Sequence, residues 1–207
     1  MSNVSGKRQT KEIPEGSKII GIKKSYSRGL KSIAFICQSQ RFSSHTSNAI
    51  PIGIDLGTTS SCVAYWDPKK KEHKILPNTE GDDTTPSIVA FTVPKNKKAV
   101  EDFKSNRLVG KAAVYQIHRN ATNTIYDIKR LIGRSITDED VQREMKSWPF
   151  RVEGGEKCRP MIKCKFDGKD RQFMPEEITA MILEKLKVDA DKHLNQNTIK
   201  CVITVPA

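Results

Sequence analysis

The chain has 207 residues, of which 36% are hydrophobic and 29% charged, a composition that suits one or two soluble domains with a polar surface. Its longest apolar run is far shorter than the ~20 residues of a membrane-spanning helix, so the sequence predicts no membrane span. The net charge is +12, but residues 1–49 carry much of it, with nine Lys and Arg against two Asp and Glu. The other charges are interspersed and form no basic stripe with aromatics, so nucleic acid is not an expected partner.

Residues 1–49 form a basic, serine-rich segment that we expect to lie outside the fold. Three interpretations stay open: a solvated tail, a mitochondrial-type targeting segment, and an extension with no native role. Arg41 stands shortly before small hydroxyl residues, as at the end of a presequence, whereas Glu12 and Pro14 are atypical of one. The expected location is cytoplasmic, with a mitochondrial location as the alternative.

The five cysteines are scattered along the chain. Their only close pair, Cys158 and Cys164, lacks the second pair or histidine cluster that would complete a zinc site. Cys62, Cys164 and Cys201 fall within predicted strands, where a free thiol packs as a small hydrophobe. A reducing compartment is the simplest interpretation.

The first predicted elements after the basic segment form an antiparallel meander. Runs rich in β-branched and aromatic residues predict strands at 52–56, 61–66 and 74–77. A further strand is predicted at 87–93, because Pro86 is tolerated at the mouth of a strand.

Helical patterns dominate the next part of the chain. We predict helices at 108–119 and 123–133, and a short acidic helix from Thr137. In the second of these helices an apolar stripe predicts a buried face, formed by Ile125, Ile128, Leu131 and Ile132.

The last part of the chain combines a hairpin, a long helix and a strand. Asp167–Gly168 predicts a tight turn between strands at 161–166 and 169–174, with Ile162, Cys164 and Phe166 on one face. The best helix runs from Pro175 to about Leu194. The apolar run at 199–207 is typical of a strand buried on both faces. Because a helical crossover suits parallel pairing, we expect this strand to return beside the first one.

The turn between the first two strands carries the chemistry. It places one glycine and three hydroxyls, Gly57 to Ser60, after a strand that ends in Asp55. Backbone N–H groups and hydroxyls in such a turn can converge on a phosphate. Asp55 can then offer an oxygen to Mg²⁺ or to its bound water. A plain hairpin turn is the alternative, and no P-loop or dinucleotide-binding motif occurs.

Several segments in order together resemble the seventy-kilodalton heat-shock chaperones, heat shock protein 70: "IGIDLGTTSSCVA", "TTPSIVAF", "NTIYDIKRLIGR", "VQREMKSWPF", "PEEITAMILEKLK" and "VITVPA". The resemblance implies an α/β, actin-like (ribonuclease H-like) ATPase fold with two lobes around a nucleotide cleft. This chain resembles the first lobe only, with a mixed sheet, flanking helices and an inserted α+β subdomain. Its base would comprise 50–84 and 174–207, and its outer subdomain 85–173.

The resemblance also implies site residues and ligands. Asp55, Gly57, Thr58, Thr59 and Ser60 would bind the phosphates of ATP or ADP, and Asp55 would meet Mg²⁺ through water. Lys129 would act in catalysis with Asp55 and Thr58, by orienting the attacking water and stabilising charge on the γ-phosphate. Position 60 departs from the family, which often has tyrosine or asparagine there.

Further roles follow from the same resemblance. Arg130, Arg134 and Pro206 would relay the nucleotide state to a substrate-binding domain. The implied partners are unfolded polypeptides, held by that further domain, and J-domain and nucleotide-exchange co-chaperones. Because the resemblance reaches only one wall of the cleft, a non-catalytic lobe that binds co-chaperones is the alternative. A sugar kinase would share the Asp-x-Gly-Thr-Thr turn, but "KRLIGR" and "PEEITAMILEKLK" argue against it.

Overall fold

The computed structural model describes residues 50–67, 69–92, 106–166, 169–198 and 200–205, and the backbone of 22–27 and 30–38. The strands, in chain order, are β1 Ile22–Ser27, β2 Leu30–Gln38, β3 Ile52–Asp55, β4 Ser60–Asp67, β5 Glu72–Leu76, β6 Thr85–Pro86, β7 Val89–Phe91, β8 Arg107–Val109, β9 Thr124–Ile125, β10 Arg151–Gly154, β11 Pro160–Phe166, β12 Lys169–Phe173 and β13 Lys200–Val205. The α-helices are α1 Lys111–Val114, α2 Glu139–Met145 and α3 Pro175–Leu194.

The largest sheet has the strand order β1-β2-β13-β3-β4-β5, and β6 pairs with β4 beside it. Strands β3, β4 and β5 are antiparallel neighbours, which confirms the predicted meander. Strand β13 pairs parallel to β3, with Cys201 opposite Ile52 and Ile203 opposite Ile54. The predicted parallel return of the last strand through a helix is therefore confirmed.

Helix α3 has the predicted bounds and packs its apolar ridge into the core. Ile178, Ile182, Leu186 and Ala190 are all buried. They belong to one hydrophobic cluster with the strand residues that point to the same face of the large sheet, Ile52, Ile54, Val63, Leu76 and Ile203. Each such aliphatic side chain contributes about 1.5–3 kcal/mol when it leaves water, so this face anchors the sheet.

The opposite face of the large sheet is open. Val202 is 62% exposed, Ile75 54% and Trp66 45%. The backbone register puts Val202, Gly53, Ala64 and Ile75 in one row across four strands, so they share a face. The prediction that the last strand is buried on both faces is wrong at Val202, because no element among the described residues covers that side.

Two small antiparallel sheets form the outer part of the chain, with strand orders β8-β7-β9 and β10-β11-β12. Phe91 joins them, since its ring stacks on Phe173 with centroids 4.8 Å apart and meets Phe166 edge-on at 5.8 Å. Ile162, Cys164 and Phe166 are buried, as the alternation predicts. No contact or boundary here tests the predicted division at residues 85 and 173, which stays a prediction.

The predicted helix at 123–133 is wrong, although its apolar stripe is buried. Thr124 and Ile125 form β9 instead, and Ile128–Arg130 form a single 3-10 turn. Asp127 interrupts any helix, because its φ of 55° and ψ of 20° lie in the left-handed region. The predicted helix at 108–119 is also too long, since only α1 is α-helical there. Helix α2 is confirmed, with Asp138 at its N-terminal boundary.

Part of the N-terminal segment joins the fold, against the sequence-based prediction. Strands β1 and β2 form an antiparallel hairpin, and β2 pairs with β13 from Gln38 opposite Lys200 to Ile33 opposite Val205. The run Ile33–Ile36 contains residues that favour strands, and β13 offers it an edge with unpaired backbone groups. Residues 1–21, 28–29 and 39–49 lie outside the described residues.

Candidate functional site

The turn between β3 and β4 is anchored at one side and open at the other. Leu56 is buried in the core cluster, which fixes the end of β3. Asp55, Thr59 and Ser60 are exposed, and Gly57 and Thr58 are half-buried. The turn thus presents a carboxylate and several hydroxyls to solvent from a rigid base.

Gly57 is required by the close approach of the backbone within this turn. A Cβ atom built on Gly57 would lie 2.0 Å from the carbonyl oxygen of Ser60 and 3.2 Å from its carbonyl carbon. Atoms of this kind cannot approach so closely, and a backbone carbonyl cannot swing away as a side chain can. The turn can close in this shape only with glycine at position 57.

A closed ring of hydrogen bonds holds Gly57 from both sides. The Gly57 N–H donates to Ser61 Oγ at 3.3 Å, and Ser87 Oγ donates to the Gly57 carbonyl at 2.9 Å. The two hydroxyl oxygens lie 2.9 Å apart. Since Ser87 gives its proton to Gly57, Ser61 must donate to Ser87, and every group in the ring is satisfied. Both serines are almost fully buried.

The segment at 85–87 supports the turn from behind. The Ser87 N–H donates to the Thr59 carbonyl at 2.8 Å, and β6 pairs with Ser60 and Ser61. The Asn78 side-chain amide in turn donates to the Thr84 carbonyl at 3.1 Å and to Thr85 Oγ1 at 3.2 Å. The loop conformation is therefore fixed by bonds from a distant part of the chain.

Two backbone donors in the turn remain available. Within the part of the chain that the structure describes, the amide N–H groups of Thr58 and Thr59 donate to no protein acceptor. Gly57 differs, because its N–H is already engaged with Ser61. The prediction that Gly57 itself contacts phosphate stays untested, but its amide is the least available of the three. Unengaged N–H groups at consecutive positions suit an anion.

Lys129 lies within electrostatic range of Asp55, although 74 positions separate them in the chain. Burial lowers the pKa of the Lys129 ammonium below its ordinary value, and the charge of Asp55 opposes that shift. Asp55 also faces Cys62, its partner across β3 and β4, and burial followed by the Asp55 charge raises the pKa of that thiol. The structure thus places a half-buried cation within electrostatic range of an exposed carboxylate at the end of β3.

Asp55, Lys129 and the two unengaged amides fit a phosphate group that carries a largely hydrated Mg²⁺ ion. Among the described residues, no group of three or more His, Cys, Asp or Glu is placed to hold a metal ion. A lone exposed carboxylate such as Asp55 suits Mg²⁺ that keeps most of its water molecules and takes its other oxygens from phosphate. Lys129 and the Thr58 and Thr59 amides are the groups that would supply the complementary donors to such a ligand.

Arg130 and Arg134 form ion pairs with acidic residues in and around α2. Arg130 pairs with Glu144 at 3.1 Å and more loosely with Asp127 at 3.9 Å. Arg134 lies 3.5 Å from Asp140 of α2. Both guanidinium groups are about half exposed, and their ion pairs form an ionic surface around α2 rather than part of the turn between β3 and β4. Pro206 lies outside the described residues.

Sequence analysis missed Ser61 and Ser87 as supports of the site. One signal was present: alternation along β4 places Ser61 on the same side as Val63, so a hydroxyl had to be buried and satisfied. The identity of its partner, 26 positions away, could not be found from alternation alone.

In the described ranges, no helix combines the length and apolar character that crossing a bilayer requires.

A family model described as Hsp70 protein matches residues 51–207. A heat shock 70 kDa protein of Neurospora crassa is 45% identical over 158 residues, which cover 75% of this chain and 22% of the relative. Putative heat shock 70 kDa protein 7 of Homo sapiens is 45% identical over 159 residues, 76% of this chain and 39% of the relative. A ribosome-associated molecular chaperone of Eremothecium gossypii is 44% identical over 156 residues, 75% of this chain and 23% of the relative.

The chain therefore spans between 22% and 39% of the length of these relatives. Its mixed sheet with flanking helices is consistent with part of an actin-like ATPase domain, as the resemblance implied. The match over residues 51–207, together with relatives at this identity, shows that the chain belongs to the Hsp70 family.

Proposed function

We propose that this chain forms the phosphate-binding wall of an ATP-dependent molecular chaperone. The observation that carries the proposal is the turn itself, where the Thr58 and Thr59 amides are unengaged, Asp55 precedes them, and Lys129 lies within electrostatic range of Asp55. A carboxylate and free N–H donors in one turn, with a cation in electrostatic range of the carboxylate, match what the phosphates of ATP or ADP with Mg²⁺ require. Family membership supports the proposal and removes the sugar-kinase alternative.

Each residue has a distinct role in this proposal. The Thr58 and Thr59 amides and the nearby hydroxyls, including that of Ser60, bind phosphate oxygens. Asp55 accepts hydrogen bonds from water molecules on Mg²⁺, and the bound ion supplies charge neutralisation at the phosphates. Lys129 places a positive charge where negative charge develops during phosphoryl transfer, and it orients the water that attacks.

The proposed activity extends beyond the part of the protein described here. Assistance to unfolded polypeptides, and regulation by J-domain and nucleotide-exchange co-chaperones, would need surfaces outside the phosphate site. Arg130 and Arg134, with Pro206, are our candidates for relaying the nucleotide state. The exposure of both arginines on the same part of the chain as Lys129 supports that role.

Titration of the ¹⁵N-labelled chain with Mg-ATP tests the proposal. We expect saturable amide shifts at Thr58 and Thr59, with a dissociation constant in the millimolar range, because one wall of a cleft excludes little water. Lys129→Ala should weaken binding about fivefold, the value of about 1 kcal/mol for one charge contact near solvent. Lys146→Ala is the matched control, since Lys146 is exposed on the same part of the chain.

Shifts that fail to saturate, or that spread over the surface without focus on the turn, would contradict nucleotide binding. Equal affinities in Lys129→Ala and Lys146→Ala would remove Lys129 from the site. If the turn binds nothing while purified J-domain protein still binds the chain, the non-catalytic co-chaperone-binding lobe becomes the better account.

A further inference from the structure

We infer that Ser61 and Ser87 are positioning residues that lock Gly57 so that the next two amides stay available for a phosphate group. This inference rests on the proposed function, because the ligand of the turn is the same. It adds residues to which neither motif nor family match assigns a role.

The ring occupies the polar groups of Gly57 on both sides. Its N–H is bonded to Ser61 and its carbonyl to Ser87, and the two hydroxyls are bonded to each other. No bond in the ring uses Thr58 or Thr59. The Gly57 N–H and carbonyl lie in the two peptide planes on either side of its Cα, so neither plane can rotate without breaking a buried hydrogen bond. The second plane also contains the Thr58 N–H, so the bond from Ser87 fixes the direction of that amide. The Thr59 N–H lies in the next plane, between this restraint and the bond from the Ser87 N–H to the Thr59 carbonyl.

The position of the ring fits a clamp rather than ordinary core packing. Ser61 comes from the first residues of β4, on one side of the turn, and Ser87 from the segment after β6. Ser87 also donates its own N–H to the Thr59 carbonyl, so it holds the turn at two points. Both hydroxyls are buried, so water cannot readily replace a missing partner.

The clamp reduces the entropic cost of binding. Residues of a free turn must be ordered when a ligand binds, and that cost is subtracted from affinity. In this chain the turn is ordered by serine hydroxyls before any ligand arrives. Loss of one hydroxyl should leave the donors in place but let them sample other directions.

Ser87→Ala tests the inference, with Thr179→Val as the matched control. Thr179 is equally buried, and its hydroxyl donates to the Pro175 carbonyl at 2.8 Å inside α3, away from the turn. Two measurements are made on each variant. The hydrogen-exchange rate of the Gly57 amide, measured without ligand, shows how firmly the serines hold Gly57. Titration with Mg-tripolyphosphate, followed at the Thr58 and Thr59 amides, gives the affinity of the turn for phosphate.

In Ser87→Ala we expect exchange at Gly57 to rise about five- to tenfold, the consequence of one lost buried hydrogen bond, and affinity for tripolyphosphate to fall about fivefold. Thr179→Val should change neither the exchange rate nor the affinity by more than about twofold, even if it lowers the melting temperature as much as Ser87→Ala does. A merely structural role for Ser87 would move the melting temperature alone.

Unchanged exchange at Gly57 in Ser87→Ala would overturn the clamp. Saturable binding by the wild type with the same affinity in Ser87→Ala would overturn it as well. Absence of saturable binding by the wild type would instead contradict the proposed function. It would also contradict the part of this inference that makes the Thr58 and Thr59 amides available to phosphate.

Discussion

The Gly57→Ala substitution isolates a single steric contact. The added methyl would start 2.0 Å from the Ser60 carbonyl oxygen, whereas ordinary contacts of this kind are at least ~3.2 Å. The two backbone segments must therefore separate by about 1 Å or more. That movement would also strain the hydrogen bonds of Gly57 to Ser61 and Ser87.

The magnitude follows from these two effects. Overpacking against atoms that cannot repack costs about 1–3 kcal/mol, and weakening one buried hydrogen bond costs about 1 kcal/mol more. For a chain of this size, about 3 kcal/mol corresponds to a fall of about 6–12 °C in melting temperature. Gly53→Ala is the control, because its Cβ would meet only the Ala64 carbonyl at 3.9 Å, an ordinary contact.

Thermal unfolding followed by circular dichroism measures both variants, and amide spectra show which residues move. We expect Gly57→Ala to lose several degrees more than Gly53→Ala and to shift the amides of residues 57–61. The same melting temperature in both variants, with an undisturbed turn, would show that the backbone relaxes at little cost and would refute the steric argument.

The remaining predictions concern other parts of the molecule. If the second lobe of a relative completes the cleft, Lys129→Ala should lower single-turnover ATP hydrolysis ~100-fold, and normal hydrolysis would return Lys129 to a solvated surface residue. Thiol labelling of the folded chain should reach the exposed Cys158 before the buried Cys164, and equal rates would contradict that placement. Burial raises the pKa of Cys164 to about 12 from 9.0, so the neutral thiol stabilises the fold below pH 9 and that contribution is lost as the pH rises towards 12. Relative to Cys164→Val, the free energy of unfolding should therefore drop by about 1 kcal/mol by pH 10, and parallel pH profiles would exclude the effect. Deletion of residues 1–49 should raise hydrogen exchange at every second amide of β13, those bonded to β2, while the alternate amides bonded to β3 stay protected. Uniform protection would show that β2 does not pair there in solution.

Local patterns predicted the elements whose packing agrees with their period. Helix α3 was predicted from Pro175 to about Leu194, in agreement with its observed bounds, because its first-turn proline and acidic residues and its i, i+4 ridge all point to one answer. The parallel return of β13 followed from the connection rule for a helical crossover. At 123–133 the apolar spacing fits a helix, yet Thr124 and Ile125 pair with β7 and Asp127 takes a left-handed conformation. Tertiary pairing overrode a pattern that was right about burial.

The candidate site likewise contains residues that could be found from the sequence and residues that could not. The glycine, hydroxyls and carboxylate of the turn could be found from sequence because they are contiguous. The role of Lys129 at the site came only from the resemblance, since periodicity placed Lys129 opposite the apolar stripe. Ser87 could not be found either way, because its role depends on a bond to Gly57 that only the folded chain creates. The edge pairing of β2 was missed for a similar reason: strand propensity is expressed when a partner edge exists.

The parallel pairing of β3 with β13 has a consequence for biosynthesis. The two strands meet in the sheet, but Ile52 and Cys201 are separated by about 150 residues of chain. At roughly 5–20 residues per second, the ribosome needs about 8–30 s to make the intervening segment. Throughout that interval the edge of β3 that pairs with β13 has no partner. Hairpin β1–β2 has been made by then, but it also pairs with β13 and not with β3. The nascent chain therefore passes through a long stage with an uncovered strand edge, a state that favours pairing with other chains.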